Sequence, residues 1–437
     1  MTEALFARGQ MAYSLAFHIV FAAVGIAMPL LMVLAEVQWL RTRDAEYLDL
    51  AKKWMKGTAV FFAVGAVSGT VLSFELGLLF PRFMEHAGPV IGMPFSLEGF
   101  AFFTEAIFLG LYFYGWNQLK PWVHVACGAV VALSGALSAL FVTLVNAWMN
   151  TPCCLKGDDV DPLGAMATPF AFHEVVHGTL AAYMATAFAV AAIHAWQLLR
   201  GRAPIPAAAG EPGAAAAVPG GARNRSPASA SFHSKALGLS LAVGLPVALV
   251  QPLVGHHAGQ MVAVHQPMKL AALEGHLKTG PRAPISVGPV EIPGGLSLLA
   301  FGDMNAVVQG LEEVPEADRP PYVVRLSWLV MVGLGSLAMA YAGLTGLMVL
   351  RRRGVPTDRR WLWATVLLGP AGVIALEAGW IVTEVGRQPW IIYKVMRTVD
   401  AVTPVTGLWA PFVGFAVIYA GLAGVVAGVL WRQVRAT

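Results

Sequence analysis

Apolar stretches of about the 20 residues that a helix needs to cross a bilayer recur along most of the chain, and this recurrence constrains the fold more than any other feature. Nine are read, at roughly 12–38, 57–80, 95–118, 122–149, 171–199, 235–254, 326–350, 362–386 and 406–431. Of the 437 residues, 57% are hydrophobic and 12% charged. A soluble domain carries about a quarter charged residues, so the chain is an all-α integral membrane protein, a helical bundle of nine transmembrane helices. The first apolar run is too long for a signal-peptide core and reads as a retained span.

An odd number of spans puts the termini on opposite sides. The short connections "RTRDAEYLDLAKKWMK" and "RRRGVPTDRR" are strongly basic. By the positive-inside rule the N-terminus is outside and the C-terminus cytoplasmic. Residues 201–234 are rich in Ala, Pro and Gly and read as a disordered cytoplasmic linker without chemistry of its own. Residues 235–254 are the sixth helix. The outer loop 255–325 mixes His, Lys and Glu with Pro-Gly turns, and residues 326–437 hold the last three helices. Phosphate-binding glycine loops are absent, and the net charge of +4 reflects the cytoplasmic loops rather than any nucleic-acid partner. Cys153 and Cys154 are adjacent, which strains a bridge between them; with Cys127 they read as plain structural cysteines. No Cys-x-x-Cys-His is present for covalent haem attachment.

Ionisable residues inside spans are functional hypotheses by default. His18 lies in the first helix. Glu98 opens the third, and Glu105 follows on the same face about 10 Å deeper. His173 and His177 share a face of the fifth helix. Met331 begins the seventh, and Glu377 and Glu384 end the eighth. In the orientation above, His18, Glu98, His177, Met331 and Glu377 all lie in the outer half of the membrane. Imidazole, thioether and carboxylate all ligate iron, and a Met/His pair is a low-spin cytochrome arrangement. The bland readings stand beside these. A lone intramembrane His also serves as a helix–helix hydrogen bonder, Met331 is one of 17 methionines, Glu98 can cap its helix, and His173 reads as structural. The residues by themselves therefore point to a membrane redox or proton-handling protein. They leave open a proton-coupled transporter and a haem-bearing cytochrome that passes electrons without reducing oxygen.

Six stretches carry a resemblance: "RGQMAYSLAFHIVF" (8–21), "FSLEGFAFFTEAIFLGLYFYGW" (95–116), "LSALFVTLVNAWMNTP" (137–152), "VVHGTLAAY" (175–183), "HQPMKLAALEG" (265–275) and "EAGWIVTEVGRQPW" (377–390). Together they resemble subunit I of the cytochrome bd family of quinol:oxygen oxidoreductases, of the type with a short quinol loop and similar to its cyanide-insensitive members. The resemblance implies three haems and no copper: a low-spin haem b, a high-spin haem b, and a haem d or a b-type haem in its place. It makes His177 and Met331 the axial pair of the low-spin haem. His18 and Glu377 become ligands of the two high-spin haems, with Glu98 beside them as a further candidate. Residues 1–200 then contain the high-spin region and the low-spin His. Arg8, Arg387 and Trp380 contact the cofactors, the arginines through propionates. Lys269 and Glu274 match the quinol-loop residues, and Glu105 and Ser138 match the proton route. Family members carry Arg two residues before the ligand Met; here that position is Leu329, with Arg325 one turn earlier as the substitute.

The implied activity oxidises a membrane quinol, ubiquinol or menaquinol, at the outer face and reduces O2 to water. Protons come from the cytoplasm, so the reaction generates a proton motive force. The implied setting is the bilayer of the bacterial cytoplasmic (inner) membrane, as a multi-pass protein. A second oxidase subunit is the implied partner, with small accessory subunits open.

Overall fold

The computed structural model describes residues 3–156, 159–201, 227–287 and 290–436. Among them nine helices are long and apolar enough to cross a membrane. These are α1 (Glu3–Thr42), α2 (Ala45–Leu79), α3 (Pro81–Tyr114), α4 (Pro121–Asn150), α5 (Ala171–Gly201), α6 (Pro227–His265), α7 (Val323–Arg352), α8 (Arg359–Val385) and α9 (Trp409–Ala436). The rest is short: two-stranded sheets and brief helices in the connections.

Several ends differ from the hydropathy reading. Helix α3 starts at Pro81 rather than near 95, so Glu98 sits mid-helix instead of opening it. The added turns are held by packing, since Phe83, Ala87, Val90 and Ile91 are buried against Leu79, Ile392 and Leu408. Helix α6 runs from Pro227 to His265, which shortens the loop read as 255–325 to begin at 266 and takes residues 227–234 out of the linker. Its last turns are held by Val262 and Ala263 in the loop's own core with Leu270, Leu273 and Leu296. At its start, Lys235 pairs with Asp44 and with Glu46 (2.6 Å), tying α6 to the α1–α2 turn. The linker assigned to 201–234 otherwise falls, at 202–226, outside the described residues. Cys153 and Cys154 are joined in a disulfide, against the sequence expectation, and Cys127 is free and buried.

Lipid is as apolar as a leucine side chain, so membrane helices are held by close packing of small residues more than by the hydrophobic effect. The α5–α8 seam follows that rule. A Cβ on Gly372 would lie 2.9 Å from Ala185 Cα, and one on Gly369 only 2.5 Å from Ala192 Cβ. Helix α5 also packs on α6, α1 on α2, α4 and α5, and α3 on α4, while α9 lies against α1. The inner helices α1, α5, α6 and α8 are the best buried; α2, α3, α7 and α9 form the outside.

Candidate active site

Three of the ligand-type side chains of the spans, His18, His177 and Met331, lie against a glycine of a neighbouring helix. His18 on α1 contacts Ser68 of α2 (Nδ1 to Oγ, 3.0 Å) and rests on Gly69, where a Cβ would come within 3.0 Å of the ring. His177 on α5 faces Gly255 of α6, and its Nδ1 is buried without a hydrogen-bond partner. Gln251 donates to the His177 carbonyl at 3.1 Å. Met331 on α7 points its sulfur at Gly379 of α8, where a Cβ would be 3.1 Å away. Two residues earlier on α8, Glu377 Oε1 is buried and unpartnered. Trp380 packs with Ala23, Ala181, Ala182 and Ala185 between α1, α5 and α8. His173 is buried edge-on to Phe170, and its Nδ1 too has no hydrogen-bond partner.

Helices α3 and α4 present a second line. Ser138 donates to Glu98 at 3.5 Å. Seven residues further on, buried Glu105 faces Gly135, whose missing side chain leaves 3.4 Å to the carboxyl group. Arg8 is half-buried on α1.

Above these spans sits a charge-balanced polar network of two acids and two bases: Glu174, Glu384, Lys269 and Arg387. Arg387 donates to Glu384 at 2.8 Å, and Asn146 also donates to Glu384. Glu384 is therefore paired, at 28% side-chain exposure. Asn150 donates to Glu174 (2.9 Å), and Gln266 donates to the Asn150 carbonyl (2.9 Å). Arg387 is 2% exposed, yet its Nε and Nη1 have no partner. A buried guanidinium with idle donors is a place for an anion.

The loop residues are positioned by a short helix, Pro267–Glu274, which opens on proline and ends at Gly275 in the left-handed region, φ 65°. That left-handed backbone favours glycine, and its missing side chain leaves room for the Arg325 guanidinium. Arg325 thus lies against the loop. Lys269 points inward and donates to the Thr383 carbonyl at 3.3 Å. Burial pulls its ammonium down to about 8, with Glu174 opposing. Glu274 points elsewhere and accepts from the Trp328 indole at 2.9 Å. Burial raises its carboxyl above the usual range, opposed by Trp328 and Arg325. The two loop residues do not bond to one another.

Sequence reasoning passed over Glu36, Glu75, His124, Asn146, Asn150, Glu174 and Gln266. Glu36 and Glu75 had a signal, being acids inside apolar runs; Glu75 is 3% exposed and accepts from Gln10 (2.9 Å) and Ser14 (3.1 Å). The amides carried none. Among the described residues no three His, Cys, Asp or Glu side chains converge on one metal position. Single axial ligands on different helices suit a planar macrocycle better than a bare ion. The unpartnered Glu377, His177 and Arg387 atoms fit such a group: two ligand types and a propionate partner.

A membrane bundle that buries unpaired carboxylate and imidazole atoms beneath a charge-balanced network belongs to the redox or proton-handling class. Residues 6–437 match the family described as cytochrome bd terminal oxidase subunit I. The putative cytochrome bd menaquinol oxidase subunit I of Bacillus subtilis is 34% identical over 455 residues, covering all of this chain and 97% of that protein. The cytochrome bd-II ubiquinol oxidase subunit 1 of Escherichia coli is 27% identical over 91% of this chain and 89% of its own length. The solved bd oxidase of Geobacillus thermodenitrificans superposes with a TM-score of 0.87 at 34% identity, covering all of this chain and 99% of that one. The chain belongs to the cytochrome bd terminal oxidase subunit I family, a family that implies haem.

Proposed function

We propose that this chain is the catalytic subunit of a bd-type oxidase of the bacterial cytoplasmic membrane, oxidising quinol at its outer loop and reducing O2 to water inside the bundle. The observation that carries the proposal is the pair of buried, unpartnered atoms, Glu377 Oε1 and His177 Nδ1, on helices packed against each other. When bound, a low-spin b-type haem and two high-spin haems would supply the electron transfer and the oxygen chemistry. His177 and Met331 would hold the first, and His18 and Glu377 the other two, with Glu98 beside them; Trp380 packs next to them. Arg387 and Arg8 would hold propionates.

Glu274, raised by burial and held by Trp328 with Arg325 nearby, is the group to accept a proton from the quinol hydroxyl, and Lys269 is the buried base of the same short helix. Those protons leave to the outer side. Protons for water formation arrive from the cytoplasmic side through Glu105 and the Ser138–Glu98 contact, so turnover separates charge. The proposal includes a second, quinol-oxidase subunit against the outer helices.

Reduced-minus-oxidised spectra of the purified oxidase, with oxygen uptake on adding quinol, test this reading. Replacing Glu377 or His18 should abolish oxygen reduction while the low-spin signal stays. Replacing Lys269 or Glu274 should cut quinol oxidation at least tenfold with all haem signals kept. Wild-type turnover in the first pair, or a chain without haem, would sink it.

A further inference from the structure

At the end of the bundle bearing the basic connections, α1, α3 and α4 bury a cluster that the site above does not use. Glu36 is 1% exposed, His124 2% and Tyr112 fully buried. His124 Nδ1 lies 2.8 Å from Glu36 Oε1, and its Nε2 lies 2.9 Å from the Tyr112 carbonyl. That carbonyl is in the last turn of α3, where carbonyls lack helical partners and favour a cation. A carbonyl can only accept, so Nε2 carries a hydrogen. One further proton must then lie between Nδ1 and Glu36, as an acid on a neutral ring or a carboxylate on an imidazolium. The pair therefore stores one transferable proton. Glu36 Oε2 and the Tyr112 hydroxyl are buried side by side, with no hydrogen-bond partner beyond one another.

The placement of the cluster gives that proton somewhere to go. Glu98, Glu105 and Tyr112 recur every seven residues on α3, about 10 Å apart along the axis. Opposite them α4 offers Ser138, then Gly135, then Gly128 and His124. On the surface side, the His124 ring lies tilted against Trp116 (4.1 Å between centroids), and the Lys52 ammonium lies 5.2 Å over that indole. Cys127 is a further titratable side chain beside Glu36.

We infer that Glu36 and His124, with Tyr112, form the proton-loading group at the inner mouth of the α3–α4 line. The pair passes its proton through water to Glu105 and is refilled from the basic side, so that it is unchanged over a turnover consuming four protons per O2. This rests on the reading that substrate protons enter from that side.

The test uses the purified two-subunit oxidase. E36Q should keep the wild-type haem spectrum and wild-type anaerobic reduction by quinol. Its oxygen turnover should fall at least tenfold with a larger solvent deuterium isotope effect, and E36D should recover most of the rate. Wild-type turnover and isotope effect in E36Q would overturn the inference. If E36Q does not assemble, H124Q is read by the same criteria, and haem loss in both makes the cluster structural and also overturns it. In liposomes, a wild-type enzyme that draws no protons from the basic side defeats the uptake reading itself. A wild-type enzyme that does, matched by E36Q, defeats only the role of Glu36.

Discussion

Lys269 holds its ammonium at 4% exposure, and the groups around it decide how it titrates. Burial lowers it to about 8 from an ordinary 10.5, while Glu174 and Glu384 favour the charged form. Between those two values the unfolded chain keeps a proton that the native protein has released, so native stability rises with pH across the window. Below about 8 both states are protonated and the full cost of burying the charge is present. K269M removes this dependence. Thermal unfolding in detergent should therefore show wild type gaining on K269M between pH 7.5 and pH 10, by at most on the order of 3 kcal/mol. A difference between the two proteins that does not move with pH counts against the assignment. At this scale the sequence was legible wherever an ionisable residue interrupted an apolar run, as with Glu105 and Glu377. The same rule marks Glu36 and Glu75. Asn146, Asn150 and Gln266 were not legible, because a neutral amide near a helix end carries no charge penalty. The partners that give these amides meaning lie far off in the chain: Glu384 for Asn146, and Asn150 for Gln266.

Among the elements, the α5–α8 contact matters most for the site, since His177 lies on one helix and Glu377 on the other. It is close because Gly369 and Gly372 meet Ala192 and Ala185. G372V places branched carbons where even a Cβ would sit 2.9 Å from the α5 backbone, so the helices must part. Overpacking of this kind costs about 1–3 kcal/mol. The expected result is a lower melting temperature together with substoichiometric haem, measured as haem per chain. Full haem loading at wild-type stability would show that the seam does not position the ligands. The nine spans themselves were readable from hydropathy, but their ends were not. The extra turns of α3 before residue 95 and of α6 after residue 254 have mixed composition. They are helical because Phe83, Val90, Val262 and Ala263 pack outside the apolar slab.

For the whole molecule, helices α2, α3, α7 and α9 keep apolar faces outward, including Phe100, Phe103 and Ile107 on α3. Sequence cannot divide that surface between lipid and a partner subunit, because both want the same side chains. Orientation is proposed from the charge of the short connections. Both strongly basic short connections, between α1 and α2 and between α7 and α8, lie at the end of the bundle that holds Glu36 and His124. The positive-inside rule puts that end in the cytoplasm, with the 266–322 loop outside. Reporter fusions check this at two points. GFP on the C-terminus should fluoresce, and alkaline phosphatase inserted at Glu316, in the outer loop, should be active. The opposite pattern would place Lys269 and Glu274 in the cytoplasm and Glu36 outside. Quinol protons would then be released into the cytoplasm and the protons for water drawn from outside, so turnover would separate charge with the opposite sign and work against a proton motive force. The orientation therefore decides whether this arrangement of side chains can conserve energy.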